Sequence, residues 1–359
     1  MNANELKLKD FSYDLPQNLV AQTPTQHRSD SLLLTYGGPG KIAKTAFKDL
    51  IKQLPENSLL IFNNTKVIPG RLLGKLESGG KFECFLLENT DRDKNVWRCL
   101  GRPLKKIRPG KNLHFGENLC GVVTQKDEES FCLAFNIDFA EFENWLNNNA
   151  FIPLPPYIKR DDPKVASASE DRERYQTVYA AVSGSVAAPT AGLHFTEEIL
   201  EQAKSAHHTI GNVCLHVGAG TFLPVKTQEV AEHRMHAESY YIPAETLELI
   251  KNQQRLKRPI IAVGTTSFRA VESFFGQEQL TSDTWHETSL FIHPKFKNDR
   301  YTPRVFTHMI TNFHQPESTL FMLICALIGY ENAKEAYAFA IENNFRFFSY
   351  GDSSLLKLG

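Results

Sequence analysis

The sequence contains no C-x-x-C pair, no long apolar run and no signal-peptide core, and each absence excludes a class of protein. The six cysteines are scattered, which argues against a zinc knuckle or a disulfide scaffold and fits a reducing compartment. The longest apolar run, Leu320 to Ile328, has nine residues and is too short to span a bilayer. The first residues, MNANELKLKD, lack the apolar centre of a secretion signal. We therefore expect a cytoplasmic protein without a membrane partner.

An excess of charge of one sign is also missing, because 40 basic residues face 41 acidic ones and the net charge is −1. No general attraction to nucleic acid is expected, so any such surface must be a local basic patch. Charge alone leaves two interpretations of the densest basic run open, a solvated hairpin and a nucleic-acid contact. This run holds five cations and no acid: Arg102, Lys105, Lys106, Arg108 and Lys111.

The pattern of apolar residues changes along the 359-residue chain, which is long enough for two domains. From about residue 66 to 137, short apolar or alternating runs separated by turn signals predict a small β-barrel. After residue 196, helices alternate with apolar strands, as in a parallel or mixed sheet covered by helices. Early strands within 31–62 are expected to complete that sheet. The sequence therefore predicts an α/β fold, a mixed sheet covered by helices in residues 1–63 and 150–359, with a small β-barrel domain inserted at 64–149.

Two further expectations concern single segments. The charged, proline-bearing stretch 153–175 is predicted to be a connector that is mobile unless a ligand orders it. A strand is predicted at Ser289–Ile292, after a helix at 267–275 and before a strand at Val305–Ile310.

Histidine is concentrated in the second part of the chain, where ten of the twelve lie at or after residue 194. Histidine suits proton transfer near neutral pH, so the α/β part is the expected site of chemistry. The first candidate is VAAPTAGLHF at 186–195, where small residues and Gly192 let the backbone approach a ligand and deliver His194 just before a helix. A buried turn packed around a core histidine is an equally open interpretation.

Two further candidates combine histidines with glycines or a carboxylate. HVGAGT, at His216–Thr221, ends an apolar strand and resembles the glycine loop of a Rossmann-type methyltransferase, but Pro224 would break the helix that such a loop opens. In His233-Arg-Met-His236-Ala-Glu238, neither a helix nor a strand brings all three ligand-type side chains together. A proton-transfer pair of His236 and Glu238 is therefore favoured over a metal site.

The fourth candidate is Gly264-Thr265-Thr266-Ser267, at the start of a helix that carries Arg269. A glycine and three hydroxyls at a helix N-terminus can bind a carboxylate or a phosphate, and the arginine can add a charged hydrogen bond. Simple capping by Thr266 is the alternative. Three more candidates lie on later loops: Asn312, His314 and Asp352.

Longer motifs containing these candidates are similar to those of one enzyme family. The motifs are YDLP (13–16), YQTVYAAVSGSVAAPTAGLHF (175–195), HVGAGTFLPV (216–225), residues 233–240, AVGTTSFR (262–269), TNFHQPESTLFML (311–323) and RFFSYGD (346–352). Through them the chain resembles, nearly end to end, the S-adenosylmethionine:tRNA ribosyltransferase-isomerases of queuosine biosynthesis. The family's mixed α/β domain with an inserted β-barrel agrees with the fold predicted above.

The resemblance implies that S-adenosylmethionine donates its ribosyl group rather than its methyl group. The acceptor is the aminomethyl group of 7-aminomethyl-7-deazaguanine at the tRNA wobble position. The product is epoxyqueuosine, and adenine and methionine are released. S-adenosylmethionine is consumed as a substrate, so no cofactor and no metal are expected, and we expect a monomer. An S-adenosylmethionine-dependent RNA methyltransferase and a non-catalytic RNA-binding protein are the alternatives.

Under this resemblance the candidates take hypothetical roles, and we expect them to meet in a single water-poor cavity. The catalytic set, with acid and base not distinguished, is His194, His216, His236, Glu238, His314 and Asp352. The substrate-binding set is Thr190, Ala191, Gly192, Leu193, Gly218, Gly220, Thr221, Gly264, Thr265, Thr266, Ser267, Arg269 and Asn312. The tRNA-binding set is the basic run Arg102–Lys111.

Overall fold

The structure, a computed structural model, describes residues 5–116, 118–160, 167–218, 225, 227–278 and 280–359. The strands are β1 (Leu32–Tyr36), β2 (Ile42–Ala46), β3 (Leu59–Asn63), β4 (Thr65–Val67), β5 (Arg71–Leu76), β6 (Lys81–Asp91), β7 (Val96–Arg102), β8 (Asn112–His114), β9 (Cys120–Lys126), β10 (Phe131–Phe135), β11 (Val182–Ser185), β12 (Thr209–Leu215), β13 (Glu238–Tyr241), β14 (Ile260–Val263), β15 (Trp285–Thr288), β16 (His308–Asn312) and β17 (Ser353–Lys357). The helices are α1 (Leu50–Gln53), α2 (Phe139–Asn149), α3 (Ser167–Arg174), α4 (Glu197–Ser205), α5 (Ala244–Arg255), α6 (Thr265–Phe275), α7 (Thr319–Ile328) and α8 (Tyr330–Glu342).

A nine-stranded sheet in the order β15-β13-β12-β3-β14-β16-β17-β1-β2 forms the centre of the α/β part. Its central neighbours β12, β3, β14 and β16 run parallel, whereas the outer pairs β15–β13 and β1–β2 are antiparallel. The predicted mixed sheet is therefore confirmed, and the early strands do complete it. Because β14 and β16 are parallel neighbours, their carboxyl ends meet at one edge, where α/β proteins commonly bind ligands.

Helices cover both faces of this sheet, as the composition of its central strand requires. The side chains of β3 are apolar and buried on both sides, so Leu59 and Ile61 pack into one core cluster and Leu60 and Phe62 into another. Helix α7 is apolar around its whole circumference and lies inside the first cluster. The two packed layers, one on each face of the sheet, therefore fix the positions of the loops at the strand ends.

The inserted part is a closed, antiparallel barrel in the order β10-β7-β6-β5-β8-β9. Alternate residues of β6 point inward, as a barrel wall requires. Helix α2 begins where the Asp138 carboxylate accepts the Glu141 N–H at 2.8 Å, and it packs Phe142 and Leu146 against the barrel core. The predicted barrel is confirmed, and the exact domain boundaries stay a prediction.

Some predicted segments differ in the structure. The strand predicted at Ser289–Ile292 is wrong, because the edge strand is β15, while Ile292 is buried in a loop. Burial of apolar side chains, rather than strand pairing, explains the apolar pattern there. The described part of the predicted connector contains α3, and Arg160 donates to both oxygens of Asp171 at 2.7 and 2.9 Å. Mobility of the connector stays a prediction.

Within the described ranges, no helix combines the length and apolar character that crossing a bilayer requires.

Candidate active site

A cavity of about 420 Å³ lies at the edge of the sheet where β14 and β16 end. We call it the central cavity. Most of its lining comes from three segments that the sequence singled out: Ala187–Ala191, Gly264–Thr266 and Thr311–Thr319. Its volume falls within the range of roughly 300–1,000 Å³ that is typical of small-molecule sites. Of the predicted substrate-binding residues, six line it: Thr190, Ala191, Gly264, Thr265, Thr266 and Asn312.

Two oxygens of these cavity-lining residues are buried without a hydrogen-bond partner among the described residues, Thr266 Oγ1 and Asn312 Oδ1. Thr266 is not a helix cap, since α6 begins after Gly264 (φ 90°) without a side-chain cap. The Asn312 amide nitrogen faces His194 Nε2 at 3.2 Å and donates to the Phe348 carbonyl at 3.0 Å, which leaves its oxygen unused. Unpaired buried oxygens cost about 1–3 kcal/mol each, so they indicate a site that a ligand completes.

His194 does not line the central cavity, contrary to its predicted contact with substrate. Its ring is buried between Ser31 Oγ, 2.8 Å from Nδ1, and the Asn312 amide. Burial lowers the pKa of His194 to about 3, and the charges of Arg346 and Arg28 act in the same direction. The neutral ring therefore contacts Asn312, which lines the cavity, and does not reach the cavity itself.

His314 is the predicted catalytic histidine that lines the central cavity. Its Nε2 lies 3.0 Å from Thr311 Oγ1, and its backbone N–H donates to Tyr337 Oη at 3.0 Å. Burial lowers the pKa of His314 to about 3, so its ring is neutral at pH 7. An unprotonated imidazole is the form that a general base requires, and the low pKa makes this ring a weak base in the empty cavity.

These buried histidines predict that the protein loses stability in acid. The unfolded chain binds protons on histidine near pH 6.5, whereas folded His194 and His314 stay neutral down to about pH 3. The unfolded state therefore holds more protons between these limits, and stability falls as the pH drops below about 6.5. The loss is at most about 1.4 kcal/mol per pH unit for each histidine.

Urea unfolding between pH 7 and pH 4.5 measures this loss. The slope of unfolding free energy against pH should be shallower in His194→Gln than in the wild type. The exposed His114 provides the control, and His114→Gln should keep the wild-type slope. An unchanged slope in His194→Gln would contradict the assignment.

A second cavity of about 840 Å³ separates the barrel from the α/β part, and we call it the barrel cleft. The predicted residues His216, Gly218, His236 and Glu238 line its α/β side. His216 Nδ1 lies 2.8 Å from Thr65 Oγ1, and burial lowers the pKa of His216 to about 4. His236 is exposed. The barrel side contributes Trp97 and Arg98, among others.

Glu238 and Arg269 form a buried ion pair with each other, which corrects two predicted roles. The guanidinium donates to the Glu238 carboxylate and, through Nε, to the Leu290 carbonyl at 3.1 Å. The carboxylate also accepts the Gly218 N–H at 3.2 Å. Arg269 Nη2 has no hydrogen-bond partner among the described residues, but Arg269 lines neither cavity, so it is not placed to bind a substrate anion there. Glu238 holds the Gly218 backbone. Ser267 is fully buried and donates to the Val263 carbonyl at 2.9 Å, so it is not a ligand either.

Asp352 is also structural, contrary to its predicted place in the cavity wall. Its two oxygens accept the backbone N–H groups of Leu32, at 2.8 Å, and Arg346, at 2.7 Å. Burial raises the pKa of Asp352, while these hydrogen bonds oppose the rise. The carboxylate joins the start of β1 to the segment before β17.

The other predicted residues are divided among several places. Leu193 is buried in a core cluster, and a Cβ on Gly192 would stand 1.8 Å from Tyr179 Oη, so close packing explains that glycine. Gly220 and Thr221 lie outside the described residues. The five residues of the basic run are exposed and do not line the barrel cleft: Arg102, Lys105, Lys106, Arg108 and Lys111. Lys111 forms an ion pair with Glu77 at 3.0 Å.

The predicted single cavity is wrong, because the candidates line two adjacent cavities. Val217 lines both cavities and so forms part of the wall between them. The Ser185 hydroxyl oxygen accepts the Val217 N–H at 3.0 Å and fixes its backbone. Sequence analysis missed the hydroxyl partners Ser31 and Thr65, which are distant in sequence from the histidines they bind. It also missed Tyr157 and Ser349 in the central cavity. Among the described residues, no three His, Cys, Asp or Glu side chains are grouped to hold a metal ion.

The fold and site together define an α/β protein with an inserted barrel and a cavity of nucleoside size at its strand ends. The family model described as "Queuosine biosynthesis protein" matches residues 8–356. The chain belongs to this queuosine biosynthesis family.

Similar proteins in several bacteria support the membership over the full length. One is the S-adenosylmethionine:tRNA ribosyltransferase-isomerase of Clostridioides difficile, which is 42% identical over 98% of this chain and 100% of its own. The protein of the same name from Treponema denticola is 39% identical, over 97% and 99%. The crystal structure of S-adenosylmethionine tRNA ribosyltransferase from Thermotoga maritima is similar with a TM-score of 0.53 and 27% identity, over 97% of this chain and 99% of that one.

Proposed function

We propose that this chain transfers and isomerises the ribosyl group of S-adenosylmethionine onto 7-aminomethyl-7-deazaguanine at the tRNA wobble position. The product is epoxyqueuosine in tRNA, with release of adenine and methionine. The names of the relatives support this reaction class. The observation that carries the proposal is the central cavity, with its size and the unpartnered oxygens of Thr266 and Asn312.

S-adenosylmethionine binds in the central cavity under this proposal. The first N–H groups of α6 have no acceptor within the helix and carry partial positive charge, so they suit the methionine carboxylate. Thr266 Oγ1 and Asn312 Oδ1 suit the N–H and O–H donors of the adenine and ribose. Arg269 takes no part, because Glu238 neutralises it.

The reaction requires a base, an acid and a dry cavity. The sulfonium acidifies the neighbouring 5′ carbon, and a base removes a proton from it to give an ylide. Adenine then leaves and takes up a proton. The neutral aminomethyl group attacks the sugar and loses a proton, and an epoxide closes as methionine departs. One proton is released in total, and exclusion of water protects the intermediates from hydrolysis.

Two neutral histidines stand beside the two cavities and are the proton-transfer candidates. His314 lines the central cavity and His216 the barrel cleft, and each has one ring nitrogen beside a threonine hydroxyl. Because Val217 lines both cavities, a nucleobase that enters the barrel cleft lies next to a nucleoside bound in the central cavity. His236 is exposed at the cleft and remains a candidate for contact with the entering nucleotide.

The RNA partner is a tRNA whose wobble nucleotide is turned out of the anticodon loop into the barrel cleft. The exposed basic run Arg102–Lys111 stays a prediction for contact with the RNA backbone. The proposal includes no metal ion and no further cofactor, and it places a monomer in the cytoplasm.

Incubation with S-adenosylmethionine and an anticodon stem-loop carrying the precursor base tests the reaction. Chromatography should show adenine, and mass spectrometry of the nucleosides should show epoxyqueuosine. His314→Gln and His216→Gln should each lower adenine release, whereas His207→Gln should not. S-adenosylhomocysteine in place of adenine would identify a methyltransferase. RNA binding without turnover of S-adenosylmethionine would identify a non-catalytic RNA-binding protein.

A further inference from the structure

Three arginines from distant parts of the chain come together beside His194. Arg28 precedes β1, Arg174 ends α3, and Arg346 follows α8. Arg28, Arg174 and His194 line one small cavity of about 20 Å³. The charge of Arg174 lowers the pKa of Arg28, after the larger effect of burial, and the charge of Arg346 reaches His194. We call these three residues the arginine cluster.

No carboxylate hydrogen-bonds or ion-pairs with the cluster's guanidinium groups within the part of the chain that the structure describes. Each guanidinium donates instead to backbone carbonyls, and Arg174 Nε is buried without any partner. The acceptors are the carbonyls of Glu173, Arg174 and Leu193 for Arg28, of Thr25 and Gln26 for Arg174, and of Thr23 and Tyr350 for Arg346. Carbonyl dipoles fix the orientation of these groups without neutralising their charge.

The nearby acids are already used. Asp171 receives both hydrogen bonds of Arg160 and the Tyr350 hydroxyl, and Asp352 accepts two backbone N–H groups. Glu173 is exposed, and its charge raises the pKa of Arg28 less than burial and Arg174 lower it. The charge of Asp352 opposes the lowering of the pKa of Arg346 by burial without reversing it. The desolvation cost of these half-buried positive charges is therefore only partly compensated. A bound anion would supply that compensation.

We propose that the arginine cluster binds an oxyanion, and that this oxyanion is a backbone phosphate of the RNA substrate. The inference rests on the proposed function for the identity of the RNA. Guanidinium groups bind phosphate with paired, directional hydrogen bonds. The small cavity cannot hold a nucleoside, so the anion approaches the half-exposed arginines from the surface. Ser349 lines both this cavity and the central cavity, so a phosphate held here lies next to the reaction site.

The test of the cluster is the salt dependence of affinity for an anticodon stem-loop. The stem-loop lacks the precursor base, and S-adenosylmethionine is absent. The variant is Arg28→Gln, and the matched control is Arg255→Gln, which removes an equal charge from the exposed end of α5. The slope of log affinity against log salt should fall by roughly 0.7 to 0.9 in Arg28→Gln, the value for one lost phosphate contact. The control should keep the wild-type slope. Equal slopes in both variants would overturn the proposal. An unchanged slope in Arg28→Gln together with a higher KM for S-adenosylmethionine would also overturn it, because this result would assign the cluster to the methionine carboxylate.

A measurement on the wild type covers the case in which Arg28→Gln does not fold. Inorganic phosphate replaces chloride at constant ionic strength while the melting temperature is recorded. Binding to the folded state should raise the melting temperature along a curve that follows site occupancy. A rise that is only linear in phosphate, as preferential exclusion produces, would overturn the proposal. Adenine release is measured separately. Absence of adenine release would contradict the proposed reaction, whereas an unchanged salt slope or a linear phosphate curve would contradict only this site.

Discussion

Thr266→Val should lower kcat/KM for S-adenosylmethionine by about 10- to 100-fold while the free protein becomes no less stable. The hydroxyl oxygen is buried at the central cavity and has no partner among the described residues. Its replacement by a methyl group therefore removes an unsatisfied polar atom from the free protein, which is neutral or stabilising. In the complex, the same change leaves a donor of the nucleoside unpaired. Activity and stability are thus expected to move in opposite directions.

Thr246→Val is the matched control, because the same atoms change at a buried threonine that has partners. Thr246 Oγ1 donates to the Asn212 carbonyl at 2.7 Å and accepts the Asn212 N–H at 3.2 Å. This variant should lose about 1–3 kcal/mol of unfolding free energy and keep its kinetic constants. Urea unfolding and initial rates of adenine release measure the two quantities. If Thr266→Val retained wild-type kcat/KM, the hydroxyl would have no role in substrate binding.

The sequence predicted the fold well where the information is local. Apolar alternation located the barrel strands, and apolar runs located β3 and β14, since each pattern depends on neighbours two to four residues away. Gly264 and Asn312 were placed at strand ends for the same reason, and parallel pairing then brought those ends together. The edge strand β15 was missed because it is short and has no apolar alternation, with Thr288 the one buried residue among its four.

The roles of side chains were predicted less well, because they depend on partners that are distant in sequence. Arg269 looks like an anion ligand at a helix start, yet Glu238, 31 positions away, neutralises it. Asp352 looks like a free carboxylate, yet two backbone N–H groups occupy it. Only the packed structure shows which polar groups remain unpaired, and Thr266 and Asn312 hold two such groups at the central cavity.

The buried pair of Glu238 and Arg269 leads to the largest expected loss of stability. Glu238→Ala should lower the free energy of unfolding by about 3–5 kcal/mol, because it leaves the Arg269 charge buried without its partner. It also removes the acceptor of the Gly218 N–H, at the start of the glycine loop beside the cleft. Adenine release should therefore fall even at temperatures where the variant is folded.

The double variant Glu238→Leu with Arg269→Met distinguishes the effect of an unpaired buried charge from the effect of lost packing contacts. Apolar side chains of similar volume need no counter-charge, so this variant should recover most of the lost unfolding free energy while adenine release stays low. Glu248→Ala, in the exposed pair with Lys251 at 3.7 Å, is the matched control and should cost at most about 1 kcal/mol. Urea unfolding of all four proteins measures these differences. A double variant no more stable than Glu238→Ala would show that packing around the pair, rather than the buried charge, governs this part of the fold.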